Sequence, residues 1–154
     1  HIAYDIGVEE LTRQLAAKLD APAVMGGFSR LLIDPNRGED DPTLIMQLSD
    51  GAVISGNYPM SPEQREIRLD RFYRPYHDAV ASMSTLLAAE SGKAPFIVST
   101  ICSTPPGLGK VRRSQIECLW VLDPGPFTRC LSLLRKRPAL TLGYNQPSAD
   151  YLKK

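Results

Sequence analysis

Apolar residues near the start of the chain recur at the helical period. Val8, Leu11, Leu15 and Leu19 predict a helix over 8–19, which Asp5 is placed to cap and Ala21-Pro22 to end. Residues 23–28 form a short apolar run with Gly26-Gly27 in it, which predicts a buried strand. The next run, Ser29-Arg30-Leu31-Leu32-Ile33-Asp34-Pro35-Asn36-Arg37, leads from three apolar residues into Asp34-Pro35. Proline pushes the residue before it out of the helical region, so this run predicts an extended segment ending in a turn, with Asn36 and Arg37 at its mouth. No regular period follows until Ser61-Pro62-Glu63, where a capping serine and a first-turn proline predict a helix start. Ile67, Phe72, Tyr76, Val80, Met83 and Leu87 lie on one broad face of that helix, Pro75 should kink or split it, and Gly92 closes it. Residues 94–101 and 116–122 read as strands, the second carrying the single tryptophan, Trp120. Pro126 opens a helix through Leu134, residues 140–142 make a last short strand, and Asn145-Gln-Pro147 makes a turn. Strands and helices in alternation predict an α/β fold, as one domain over 1–154 with no repeat, low-complexity tract or linker.

Composition narrows the class. A chain of 154 residues, 43% hydrophobic and 23% charged, is long enough to bury a core and has the balance of a globular protein. No apolar run approaches the ~18 residues of a membrane span, and no signal-peptide pattern opens the chain, so no membrane partner is expected. Cys102, Cys118 and Cys130 form no CxxC pair and are odd in number, which favours thiols in a reducing cytoplasm over a disulfide framework. The net charge of +1 is unevenly spread: residues 1–77 hold 8 basic and 12 acidic side chains (−4), residues 78–154 hold 10 and 5 (+5). Arg112-Arg113, Arg135-Lys136-Arg137 and Lys153-Lys154 are short basic clusters without interleaved aromatics, so solvated loop charge is expected and a nucleic-acid partner is not.

The chemistry-bearing residues cluster around the 29–37 run. In an extended segment Arg30 and Arg37 would stand a small substrate's length apart, by the ~3.3 Å rise per residue. One guanidinium can grip a carboxylate in a bidentate fork while the other polarises a carbonyl, although surface arginines beside a turn would have the same spacing. The irregular stretch over 38–62 is long for a compact domain and suits a pocket-lining loop.

The run resembles the SR-x-x-ID-x-NR signature of the N-formylglutamate amidohydrolase family, a group similar to zinc carboxypeptidases and aspartoacylases. His1-Ile-Ala-Tyr-Asp5-Ile-Gly7, Ser49-Asp50 ahead of Gly56-Asn57, Tyr73-Arg-Pro-Tyr-His77 and Gly143-Tyr-Asn145-Gln-Pro147 agree with that family in order and spacing. The resemblance implies a three-layer α/β fold, a mixed sheet flanked by helices as in related hydrolases, here truncated at both ends. It also implies one zinc ion, which lowers the pKa of bound water and polarises a carbonyl. The small-molecule partner would be N-formyl-L-glutamate or a related acidic N-acyl amino acid, split to formate and glutamate. Arg30 would stabilise the oxyanion, and Asn36 and Arg37 would hold the substrate carboxylate. Asp5 and His1 would serve the metal, with His77 and Gln115 in support. Asp5 as a plain helix cap, His1 as a solvated terminus and His77 as a packing residue stand beside those roles.

Departures from the family bear on activity. The family typically reads HSFTP where this chain has Ile101-Cys102-Ser103-Thr104-Pro105. Isoleucine offers no lone pair to zinc, and on a strand Cys102 would face the other way. Residues 106–114 are unlike the family, as a short reading-frame disturbance would leave them. Gly107-Leu-Gly109-Lys110 lacks the spacing and the Ser or Thr of a phosphate loop. A family metal-binding histidine motif belongs upstream of His1, and a catalytic carboxylate belongs downstream of the Asn145-Gln-Pro147 turn. The sequence therefore supports two readings: a hydrolase of N-acyl amino acids, weakened in its metal-holding half, or a non-catalytic module that binds acidic ligands through Arg30, Asn36 and Arg37.

Overall fold

A computed structural model describes residues 3–49, 51–102, 116–119 and 125–144. The expected turn at 145–147, Trp120, His1 and Gln115 lie outside the described residues. The chain divides into two compact units, His1–Thr104 and Pro105–Lys154. Both helices and strands are present, an α/β composition.

In the first unit, α1 (Val8–Leu19) begins at Gly7, whose φ of 78° no residue with a Cβ adopts cheaply. Asp5 does not cap this helix through its side chain: its main-chain oxygen accepts the Val8 N–H at 3.3 Å, and glycine takes the cap position. No residue of α1 is fully buried, and Leu11 and Leu19 are half-exposed or more, while Thr12 Oγ1 lies 2.6 Å from Thr100 Oγ1.

Residues 23–28 are not a strand. They run irregularly and are mostly exposed, with only Val24 and Phe28 half-buried. The 29–33 run is not extended either. Ser29 folds it into a turn, its carbonyl accepting from Leu32 N at 2.9 Å and its hydroxyl from Leu31 N at 3.1 Å. A short apolar run cannot by itself distinguish a strand from a buried turn. Within the otherwise irregular 38–62 stretch, β1 (Leu48–Ser49) and β2 (Ala52–Val53) make a small antiparallel hairpin, followed by a 3₁₀ turn at Ser55–Asn57.

Ser61 starts α2 (Pro62–Arg68) with a reciprocal cap: its hydroxyl accepts from Gln64 N, and the Gln64 side chain accepts from Ser61 N. The helix then widens into a π turn, Leu69–Tyr73, and continues as α3 (Arg74–Ser91), which Gly92 ends in the left-handed conformation. Pro75 accounts for the break. It has no N–H for the Arg71 carbonyl, and its ring would crowd that oxygen in a regular helix. The π turn opens the spacing instead, with Arg74 N bonded to Leu69 O.

Residues 94–101 form no strand, and Phe96, Ile97, Val98 and Ile101 are about half-exposed or more. β-propensity supplies side chains suited to a sheet but no partner, and a strand exists only where a neighbour completes its ladder. In the second unit, β3 (Ile116–Cys118) pairs in parallel with β4 (Leu142–Tyr144), and α4 (Gly125–Leu134) lies in the connection, as a parallel pair requires. The last strand thus begins two residues later than the apolar pattern over 140–142 suggests, because Leu140 N closes a turn onto Arg137 O at 3.0 Å. None of the described helices is long and apolar enough to cross a membrane.

The core of the first unit gathers Ile33, Leu44, Ile45, Leu69 and Tyr73, with Phe28, Met60 and Phe72 against it. Leu69 is 0% exposed, so Leu69→Ala should lower unfolding free energy by about 2–5 kcal/mol, read from the midpoint of urea denaturation. Burial, helped by the negative charges of Glu39, Asp40 and Asp34, pushes the Tyr73 phenol above its usual pKa of about 10. The folded state therefore favours the neutral phenol. That contribution is complete below pH ~10 and disappears as the pH climbs through the raised folded-state value. Wild-type protein should lose stability above pH ~10 to a degree that Tyr73→Phe does not, measured by thermal unfolding across alkaline buffers.

Candidate functional site

The tight turn after Ile33 is built by Asp34, which is buried to 6% exposure. Its main-chain N–H donates to Leu44 O at 2.8 Å, and its carbonyl accepts from Arg37 N at 3.1 Å. Its carboxylate accepts from Asn36 N at 2.9 Å and lies 3.7 Å from Arg37 Nε. An Asx turn of this kind orients the residues that follow it. The structure thus gathers Asp34, Asn36 and Arg37 in one turn, with Asn36 exposed and the Arg37 side chain three-quarters buried.

Arg30 sits one turn upstream, inside the Ser29 turn rather than on a ribbon. Its Nε is buried and donates to nothing among the described residues. A buried N–H without an acceptor carries a desolvation cost that a ligand or a water would relieve. Among the described residues, Nε2 of His77 is the other buried side-chain nitrogen in this condition. The His77 ring centroid is 4.3 Å from that of Tyr73 and 5.3 Å from that of Tyr76, an aromatic packing arrangement on α3.

Three residues that carry no assigned role in the sequence reading hold this region together. Asn57, 3% exposed, donates from Nδ2 to Leu31 O at 2.8 Å and to Met46 O at 2.6 Å. Its Oδ1 accepts from Arg68 Nη1 at 2.7 Å. Arg68 also donates to Leu32 O at 2.8 Å and to Gly56 O at 2.7 Å, and burial draws its pKa below the usual guanidinium value. Tyr73 donates its hydroxyl proton to Arg37 O at 2.6 Å. Asn57 and Tyr73 fall within stretches that carry the family resemblance, which could have singled them out. Arg68 has no such signal, because only the folded chain brings it beneath Leu32.

At the solvent edge, Arg74 bridges Glu39 at 3.0 Å, Glu66 at 2.5 Å and Asp70 at 2.5 Å. Those three carboxylates push the Arg74 pKa up, and Arg74 in turn holds the Glu39 carboxyl below its usual value. Arg65 reaches the Glu39 carbonyl, so α2 and α3 both grip the segment that follows Arg37.

Of the two residues expected to serve a metal, Asp5 is described and His1 lies outside the described residues. Asp5 lies in the turn before α1, and no group of three His, Cys, Asp or Glu side chains suited to a cation exists among the described residues. Ile101 is 51% exposed and Cys102 is half-buried. A hollow of about 290 Å³ lined by Val24, Phe28, Arg71, Phe72 and Tyr76 does not include Arg30, Asn36 or Arg37.

Comparison with known proteins bears on this arrangement. The family model described as N-formylglutamate amidohydrolase matches residues 1–147. Among solved structures, the chain is similar to the crystal structure of gene product Atu2144 from Agrobacterium tumefaciens, at 27% identity and a TM-score of 0.76. That similarity covers 96% of this chain and 57% of the other, so the chain spans a little over half the length of that structure. No curated protein matches. With the signature turn folded around Asp34 and the family model matching nearly end to end, the chain belongs to the N-formylglutamate amidohydrolase family.

Proposed function

We propose that this chain recognises N-formyl-L-glutamate, or a closely related acidic N-acyl amino acid, as an N-formylglutamate amidohydrolase-like protein of the cytoplasm. In this reading Arg37 takes a substrate carboxylate in its fork, Asn36 adds an amide contact, and the unsatisfied Arg30 Nε donates to the acyl oxygen. The observation that carries the reading is the Asp34 turn, which anchors the signature Asn36 and Arg37 side by side within a chain that matches the family model over 1–147. The three-layer sheet of the complete family domain would frame this turn.

The described residues do not fit a zinc ion. Among the described residues, Asp5 belongs to no group of three metal-binding side chains, and an isoleucine stands at position 101, where the resemblance places a histidine. These two observations favour the second reading, a binding module with little or no turnover. A site that loses one ligand of three binds its metal far more weakly.

N-formyl-L-glutamate at millimolar concentration should raise the melting temperature without added zinc, and Arg37→Ala should abolish the rise. An unchanged melting temperature in the wild-type protein would overturn the recognition proposal. Formate release by the purified protein should stay near background with zinc present. Robust zinc-dependent release would reject the binding-module reading and establish the hydrolase.

A further inference from the structure

The π turn at Leu69–Tyr73 has a geometric effect on the signature turn. In a regular α-helix, residues five apart are separated by about 140° around the axis, so Arg68 and Tyr73 would project from different sides. A π turn, closed by bonds between residues five apart, turns less per residue and brings such residues closer to one side. Here both reach one segment: Arg68 Nη1 donates to Leu32 O at 2.8 Å, and the Tyr73 hydroxyl donates to Arg37 O at 2.6 Å. Those two carbonyls bracket the segment that contains Asp34 and Asn36. Asn57 Oδ1 accepts from the same Arg68 Nη1 while its Nδ2 holds Leu31 O and Met46 O. The His77 ring, 4.3 Å from Tyr73, backs the phenol.

We infer that Arg68, Asn57 and Tyr73 are positioning residues that set the direction in which Asn36 and Arg37 face an acidic ligand, through a π turn that aligns Arg68 and Tyr73 on one side of the helix. The inference deepens the proposed recognition of N-acyl amino acids and rests on it for the identity of the ligand. Tyr73 has the most direct part, because its hydroxyl holds the main chain of Arg37 itself. The phenol stays neutral at physiological pH and therefore remains a donor. None of the three residues needs to touch the ligand.

Tyr73→Phe tests this with little disturbance, since the ring stays in the core and only the hydroxyl is lost. Two quantities are read on the full chain: the dissociation constant for N-formyl-L-glutamate by calorimetry, and amide hydrogen exchange over residues 34–38 and over α3. The expected result is a dissociation constant weaker by on the order of fivefold, the equivalent of one net hydrogen bond, with faster exchange at 34–38 and unchanged exchange in α3. Arg68→Lys keeps the charge but loses the planar fork, and should weaken binding in the same way. Binding by the variant as tight as wild type overturns the inference while leaving the recognition proposal standing. If the wild-type chain does not bind, the recognition proposal fails by itself, and the exchange measurement still decides the inference. Unchanged exchange at 34–38 in Tyr73→Phe overturns it, and faster exchange confined there supports it.

Discussion

A half-buried guanidinium bonded to neutral oxygens organises the described part of the first unit. Arg68 meets Leu32 O, Gly56 O and the Asn57 side chain, and its charge is disfavoured by burial. Hydrogen bonds from a charged donor offset that cost, each contributing roughly 1.5–3 kcal/mol. Asn57 uses both ends of its amide in the same knot, so three segments, around Leu31, Met46 and Gly56, are tied to α2 by side chains. Loops that lack a ladder must satisfy their main-chain groups in some other way, and here side chains do so.

The apolar side of the same construction is small. Among the described residues, Ile33, Leu44 and Leu69 are the fully buried large side chains, and Leu69 follows Arg68 of the polar knot directly in sequence. Ile33 and Leu44 flank the Asp34 N–H to Leu44 O bond, so the core and the signature turn share residues. A turn rooted in this way inherits the rigidity of its core, which is how a loop can hold Asn36 and Arg37 in a defined direction. The wider helix at Leu69–Tyr73 serves both roles, burying Leu69 and Tyr73 while bringing the Tyr73 hydroxyl to Arg37 O.

Much of the helical structure was legible in the sequence. Ser61 and Gln64 cap each other across three residues, Gly92 takes a left-handed φ of 66°, and Pro75 disrupts the hydrogen bonds of its own turn. Each of these signals acts over less than about two turns of chain, so reading it requires no knowledge of the fold. The hairpin of β1 and β2 was also open to a local reading, since Asp50-Gly51 is a strong two-residue hairpin signal and Gly51 has φ 78°. The apolar runs at 23–28 and 94–101 misled because their residue types suit a strand, yet a strand is a relation between two segments. Asp5 misled because a cap-forming side chain was upstream of a glycine able to take the cap itself.

The sequence by itself determined the helices, their ends and the signature residues Arg30, Asn36 and Arg37, because caps, prolines and motif spacing act through near neighbours. Only the tertiary structure decided that the signature folds as two successive turns and that Arg68, Asn57 and Tyr73 brace it. Those facts depend on hydrogen bonds between groups up to 36 residues apart, such as Arg68 with Leu32 and Tyr73 with Arg37, and no local pattern along the chain encodes which distant carbonyl a side chain will find.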